Sequence, residues 1–60
     1  MNEPEEVVVG IDVAKAGLDV AVRPRGEERQ LANDPAGIAA VVGWLQTVHP
    51  HVIVIEATGG

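Results

Sequence analysis

The sequence is short, acidic and free of cysteine. With 60 residues and no cysteine, it forms at most one small domain, without disulfides or thiolate-bound metal to stabilise it. Its formal net charge of −5 includes only four Lys and Arg residues, too few to hold nucleic-acid phosphates unaided. No apolar run approaches the roughly 20 residues of a membrane span, and Met1–Glu6 lacks a signal-peptide pattern, so we expect a cytoplasmic protein.

The N-terminal half predicts three antiparallel strands. Residues 6–13 are rich in Val and Ile on both faces, which is typical of a central strand covered on both sides. After a turn over Ala14–Gly17, whose glycine we expect at positive φ, residues 18–23 alternate between apolar and polar. This alternation predicts a half-exposed strand antiparallel to the first. A second turn at Pro24–Gly26 leads to residues 27–32, a polar strand whose charges suit a sheet edge.

The C-terminal half predicts one helix and one more strand. Asp34 can cap a helix that has Pro35 at its first position, and Pro50 is expected to end it. Five apolar residues then fall on one helical face, namely Ile38, Val41, Val42, Leu45 and Val48. Residues 52–56 are a continuous apolar strand, and a strand–helix–strand connection usually places the two strands parallel. The sequence therefore predicts an α/β fold: three antiparallel strands, a helix, then a strand parallel to the first.

Two of the apolar strands each contain one acid, Asp12 and Glu56. A buried carboxylate is costly unless it is paired, hydrogen-bonded or bound to a cation. If the last strand lies beside the first, the two acids meet at the carboxyl ends of these strands, which is where open α/β sheets bind ligands. Two such carboxylates suit Mg²⁺ or Mn²⁺. In the alternative interpretations, Asp12 accepts hydrogen bonds from the turn that follows it, and Glu56 is an ordinary polar residue at a strand exit.

The other polar residues have structural interpretations. Asp19 faces sideways on the second strand and is expected to be solvated, and Asp34 serves as the helix cap. Lys15 has two interpretations, a contact to a phosphate or, more often, an ordinary turn lysine. His49 and His51 are interpreted as surface histidines whose spacing does not make a zinc site. The residues alone therefore offer no convincing third carboxylate for a metal site.

Three segments, Gly10–Lys15, Leu18–Val22 and Ile55–Gly60, together resemble the start of the Piv/RuvC-like DEDD transposases of bacterial insertion sequences. The resemblance covers nearly the whole chain and implies an RNase H-like (RuvC-like) fold. It also implies that Asp12 and Glu56 are the first two of four catalytic, metal-binding acids. The last two come from a later helix of the family, so we expect residues 1–60 to be the N-terminal part of the catalytic domain and inactive alone.

For the parent enzyme, the resemblance implies Mg²⁺- or Mn²⁺-dependent cleavage and joining of DNA strands in transposition, with DNA and a guide RNA as partners. One alternative is an actin-like or sugar-kinase ATPase, whose first strand also carries Gly-Ile-Asp. Its phosphate turn is rich in Gly and Ser/Thr, however, which Ala14–Gly17 does not match. Another alternative is a non-catalytic transposase remnant that acts as an interaction module. We also expect the chain to associate with itself through an incomplete sheet.

Overall fold

The computed structural model describes residues 6–57, whose elements follow the predicted order. They are β1 (Val8–Val13), β2 (Gly17–Arg23), β3 (Glu27–Ala32), α1 (Pro35–Val48) and β4 (Val52–Ala57). The strands form one sheet in the order β3-β2-β1-β4. Strand β2 is antiparallel to both β1 and β3, whereas β4 is parallel to β1. The predicted α/β architecture and the polar edge position of β3 are therefore confirmed. In residues 6–57, no helix has the length and apolar character needed to cross a membrane.

The core lies between α1 and one face of the sheet. Its buried residues are Val9, Leu18, Val20, Val22, Val41, Leu45 and Val48. Leu18, Val20 and Val22 alternate along β2, and Val9 of β1 lies opposite Val22, as expected for strands that bury one face. Helix α1 is the only element of the described residues that lies off the sheet, so the second face has no cover within residues 6–57. The expectation that the first strand is covered on both sides is wrong for this part of the chain.

Two contacts hold α1 on the β3 side of the sheet. Gly37 lies so close to the backbone of Ala32 that a Cβ atom at position 37 would overlap the Ala32 carbonyl. Seven residues along the helix, the Trp44 ring lies 4.0 Å from the Arg29 guanidinium on β3. Within the predicted apolar face, Ile38 and Val42 are 47% and 51% exposed. The other three residues of that face, Val41, Leu45 and Val48, are buried.

The ends of α1 are set by specific backbone interactions. The Asp34 carboxylate accepts a hydrogen bond of 2.7 Å from the backbone N–H of Gly37, which confirms the predicted cap. The helix ends at Val48, because His49 adopts the left-handed conformation with φ of 55°. The C-terminal stop therefore precedes Pro50. Positive φ occurs at Gly26 in the second turn, whereas the glycine of the first turn, Gly17, begins β2.

Candidate metal centre

Asp12 and Glu56 are side by side in the sheet. They are register partners on the parallel strands β1 and β4, and each is the second-to-last residue of its strand. Neighbouring strands lie roughly 4.8 Å apart, and register partners project from the same face. The prediction that the two acids meet near the carboxyl ends of neighbouring strands is confirmed. Their role as metal ligands and catalytic residues stays a prediction.

Asp19 extends this pair into a row of three acids. It is the register partner of Asp12 on the other side, across the antiparallel pair of β1 and β2. Asp19 is exposed, which confirms the expectation that it is solvated, and the register places its side chain on the same face as that of Asp12. The short turn between β1 and β2 could have predicted this pairing. Val13 pairs with Leu18 next to the turn, so the next pair away from the turn must be Asp12 with Asp19.

The environments of the two predicted ligands differ. The Oδ1 atom of Asp12 is buried and has no hydrogen-bond partner. The Ala14 N–H, which the turn interpretation assigned to Asp12, instead donates to the Gly17 carbonyl at 2.9 Å. Glu56 is exposed, as is every other residue of β4, so its expected burial is wrong. Only Asp12 therefore has the unsatisfied buried oxygen that a cation or a donor would satisfy.

Small residues form the floor beside the acids on the uncovered face of the sheet. Gly10 lies between its register partners Ala21 and Val54, and a Cβ atom at position 10 would meet no atom within 4 Å. A groove of about 840 Å³ runs over this floor, and its lining includes all three acids and Arg23. The acid row is therefore open to a ligand larger than an ion.

His51 has a structural role that the sequence analysis missed. Its Nδ1 atom accepts a hydrogen bond of 3.0 Å from the backbone N–H of Val7. The backbone N–H of His51 donates a second hydrogen bond, of 2.8 Å, to the Val7 carbonyl. Together these bonds join the start of β4 to the residue that precedes β1. Lys15 is exposed in the first turn, where it lies three residues beyond Asp12 along the chain.

The acids of the described residues do not by themselves form a metal site. Within residues 6–57, no group of three or more His, Cys, Asp or Glu side chains is arranged to hold an ion. The orphaned oxygen of Asp12 and the neighbouring carboxylate of Glu56 fit two oxygen ligands of a hard cation. A site built on these two oxygens would need further ligands from outside this range.

Comparisons with known proteins assign no family. No protein-family model, no curated protein and no solved structure matches the chain. In the segment Ile55–Gly60, on which part of the transposase resemblance rests, residues 58–60 lie outside the described residues.

Proposed function

We propose that this chain is the N-terminal part of an RNase H-like catalytic domain of the Piv/RuvC-like DEDD transposase type. The parent enzyme would cleave and join DNA strands during transposition with the help of Mg²⁺ or Mn²⁺. Asp12 and Glu56 would be the first two of its four acids. Residues 1–60 would be inactive alone, because half of the metal ligands would be missing.

The observation that carries this proposal is the register pairing of Asp12 with Glu56 on adjacent parallel strands. Acids 44 positions apart in the sequence come together because β4 returns beside β1 after the crossover through α1. Both acids stand near the carboxyl ends of their strands, which is where open α/β sheets bind ligands. The sheet order and the single crossover also agree with the start of an RNase H-like domain.

The chain's own residues would bind and orient the ions. Asp12 would supply an oxygen that no protein group in residues 6–57 satisfies, and Glu56 would supply a solvent-accessible carboxylate beside it. Divalent ions bound there would activate the attacking oxygen and stabilise the leaving oxygen of a phosphodiester. The open space above Gly10 leaves room for a substrate backbone to approach the three acids.

The geometry of the first turn weakens the ATPase alternative. A phosphate-binding turn offers several backbone N–H groups and hydroxyl side chains to the phosphate. In this turn the Ala14 N–H is already used by the Gly17 carbonyl, and the segment Ala14–Gly17 has no Ser or Thr. The side chain of Asn33 also donates to the Ala14 carbonyl at 2.8 Å. Both backbone polar groups of Ala14 are therefore already hydrogen-bonded within the protein.

Binding of Mn²⁺ by the 60-residue chain tests the proposed acid pair. Isothermal titration should show weak Mn²⁺ binding by the wild type and weaker binding by Asp12→Asn and by Glu56→Gln. Each variant should lose at least about tenfold in affinity, because even outer-shell changes cost roughly 10–100-fold. Glu28→Gln is the matched control: it removes one exposed carboxylate from the same groove, but its register partner is Ala21. Equal affinity in all four proteins would overturn the metal site.

The nuclease function itself requires a second experiment. A longer protein that supplies the two later acids should nick DNA in the presence of Mg²⁺, and Asp12→Asn or Glu56→Gln should abolish nicking. Glu28→Gln should retain it. Mg²⁺-independent nicking, or nicking that survives both acid substitutions, would contradict the proposed chemistry.

A further inference from the structure

Asn33 ties the connection between β3 and α1 to the turn between β1 and β2. Its side-chain amide donates a hydrogen bond of 2.8 Å to the carbonyl of Ala14. Its backbone N–H donates a second one, of 3.3 Å, to the carbonyl of Ala16. A single half-buried residue thus holds two of the carbonyl groups of this turn.

The connection that contains Asn33 is itself fixed on the helix side. It consists of Asn33 and Asp34, between the end of β3 and the start of α1. Asp34 caps the helix by accepting a bond of 2.7 Å from the Gly37 N–H, and Gly37 lies against the backbone of Ala32. Because the connection is short and is held at both ends, Asn33 fixes the turn relative to α1.

The turn follows Asp12 closely, and its conformation decides which donors reach that carboxylate. An aspartate side chain commonly accepts a hydrogen bond from the backbone N–H two residues further along the chain. For Asp12 that donor is Ala14, whose N–H donates instead to the carbonyl of Gly17 at 2.9 Å. The buried Oδ1 atom of Asp12 has no hydrogen-bond partner within residues 6–57, because its usual local donor is already used by the turn.

We propose that Asn33 is a positioning residue for the metal site of the proposed function. By holding the carbonyls of Ala14 and Ala16, it keeps the turn closed and the Ala14 N–H on Gly17. The Oδ1 atom of Asp12 then stays available to a cation. Without Asn33, the peptide group of Ala14 can rotate, and its N–H can bond to Asp12 in place of a cation. This role rests on the proposed function, because it matters only if Asp12 binds a metal ion.

Titration of the 60-residue chain with Mn²⁺ tests this role through two substitutions. Asn33→Ala removes the side-chain donor. Asn33→Asp keeps the shape of the side chain but cannot donate, and its added negative charge would by itself attract a cation more strongly. Isothermal titration should show roughly tenfold weaker Mn²⁺ binding in both variants, the lower end of the usual effect of an outer-shell partner. Unchanged affinity in either variant, or a higher affinity in Asn33→Asp, overturns the role.

Gly26→Ala is the matched control for a general loss of stability. Gly26 holds φ of 79° in the turn between β2 and β3, at the other end of β2 from the turn that Asn33 contacts. Alanine is strained in that conformation, so the substitution should lower the urea midpoint without changing the charge, and Mn²⁺ affinity should stay as in the wild type. If Gly26→Ala weakens Mn²⁺ binding as much as Asn33→Ala for the same shift in urea midpoint, Asn33 has no positioning role.

Nuclear magnetic resonance of the wild type adds a measurement that needs no metal ion. A scalar coupling across the hydrogen bond should join the Ala14 amide nitrogen to the Gly17 carbonyl carbon, and it should disappear in Asn33→Asp. Its absence from the wild type, or its persistence in Asn33→Asp, overturns the role of Asn33 even where the acid pair binds Mn²⁺. If the wild type binds no Mn²⁺, or Asp12→Asn binds it equally well, the acid pair itself fails and the role of Asn33 fails with it.

Discussion

Asp12 and Asp19 lie directly opposite each other on the antiparallel strands β1 and β2. Their side chains project from the same uncovered face of the sheet, and Glu56 flanks Asp12 on the other side. Like charges opposite one another destabilise a strand pair. The fold therefore keeps an unfavourable row of acids, which is consistent with selection for binding rather than for stability.

Removal of the second acid of this pair should stabilise the fold. Asp19→Asn is expected to raise the free energy of unfolding by about 0.2–1 kcal/mol, the usual size of a cross-strand pair effect. Urea denaturation at low salt and at one fixed protein concentration measures it, because self-association would make stability depend on concentration. Glu28→Gln removes the same charge opposite Ala21 and should give a smaller gain. Equal gains would mean that net charge, and not the Asp12–Asp19 pair, is responsible.

Two glycines of α1 should respond to alanine in opposite directions. At Gly37 a Cβ atom would overlap the Ala32 backbone, which cannot move aside as a flexible side chain would, so Gly37→Ala should lower the free energy of unfolding by about 3 kcal/mol. At Gly43 a Cβ atom would meet nothing within 4 Å. Gly43→Ala should therefore raise stability by up to about 1 kcal/mol through helix propensity. Thermal melts of both variants check the pair, and a stable Gly37→Ala would contradict the close approach of helix and strand.

The residue that ends the helix should be improved by glycine. His49 holds φ of 55°, and the left-handed conformation costs an L-residue roughly 1–2 kcal/mol. His49→Gly should therefore raise the free energy of unfolding by about 1 kcal/mol. His49→Ala loses the same imidazole but keeps a Cβ atom, so it should bring no such gain. If alanine and glycine stabilise equally in urea titrations, the effect comes from the side chain and not from the backbone.

The sequence alone predicted the elements, because their signals are local. Alternating and continuous apolar runs located the strands, and Asp34 followed by Pro35 located the start of α1, since a cap interacts with backbone groups only three residues away. The meeting of Asp12 with Glu56 was predictable because parallel strands joined by one helix are usually neighbours. The alignment of Asp19 with Asp12 was overlooked, although the length of the turn implied it.

Tertiary structure decided where the helix lies across the sheet, and with it what remains exposed. The apolar spacing of α1 marks a helical face but not its lateral position. That position is set by the close approach of Gly37 to Ala32 across the short β3–α1 connection and by the contact of Trp44 with Arg29, 15 residues earlier in the chain. Neither contact follows from the apolar spacing of the helix. Because these contacts draw α1 towards β3, they leave Ile38, Val42 and the apolar strand β4 exposed. Local pattern thus determined the elements and the acid pair, and long-range packing determined which apolar surface stayed uncovered.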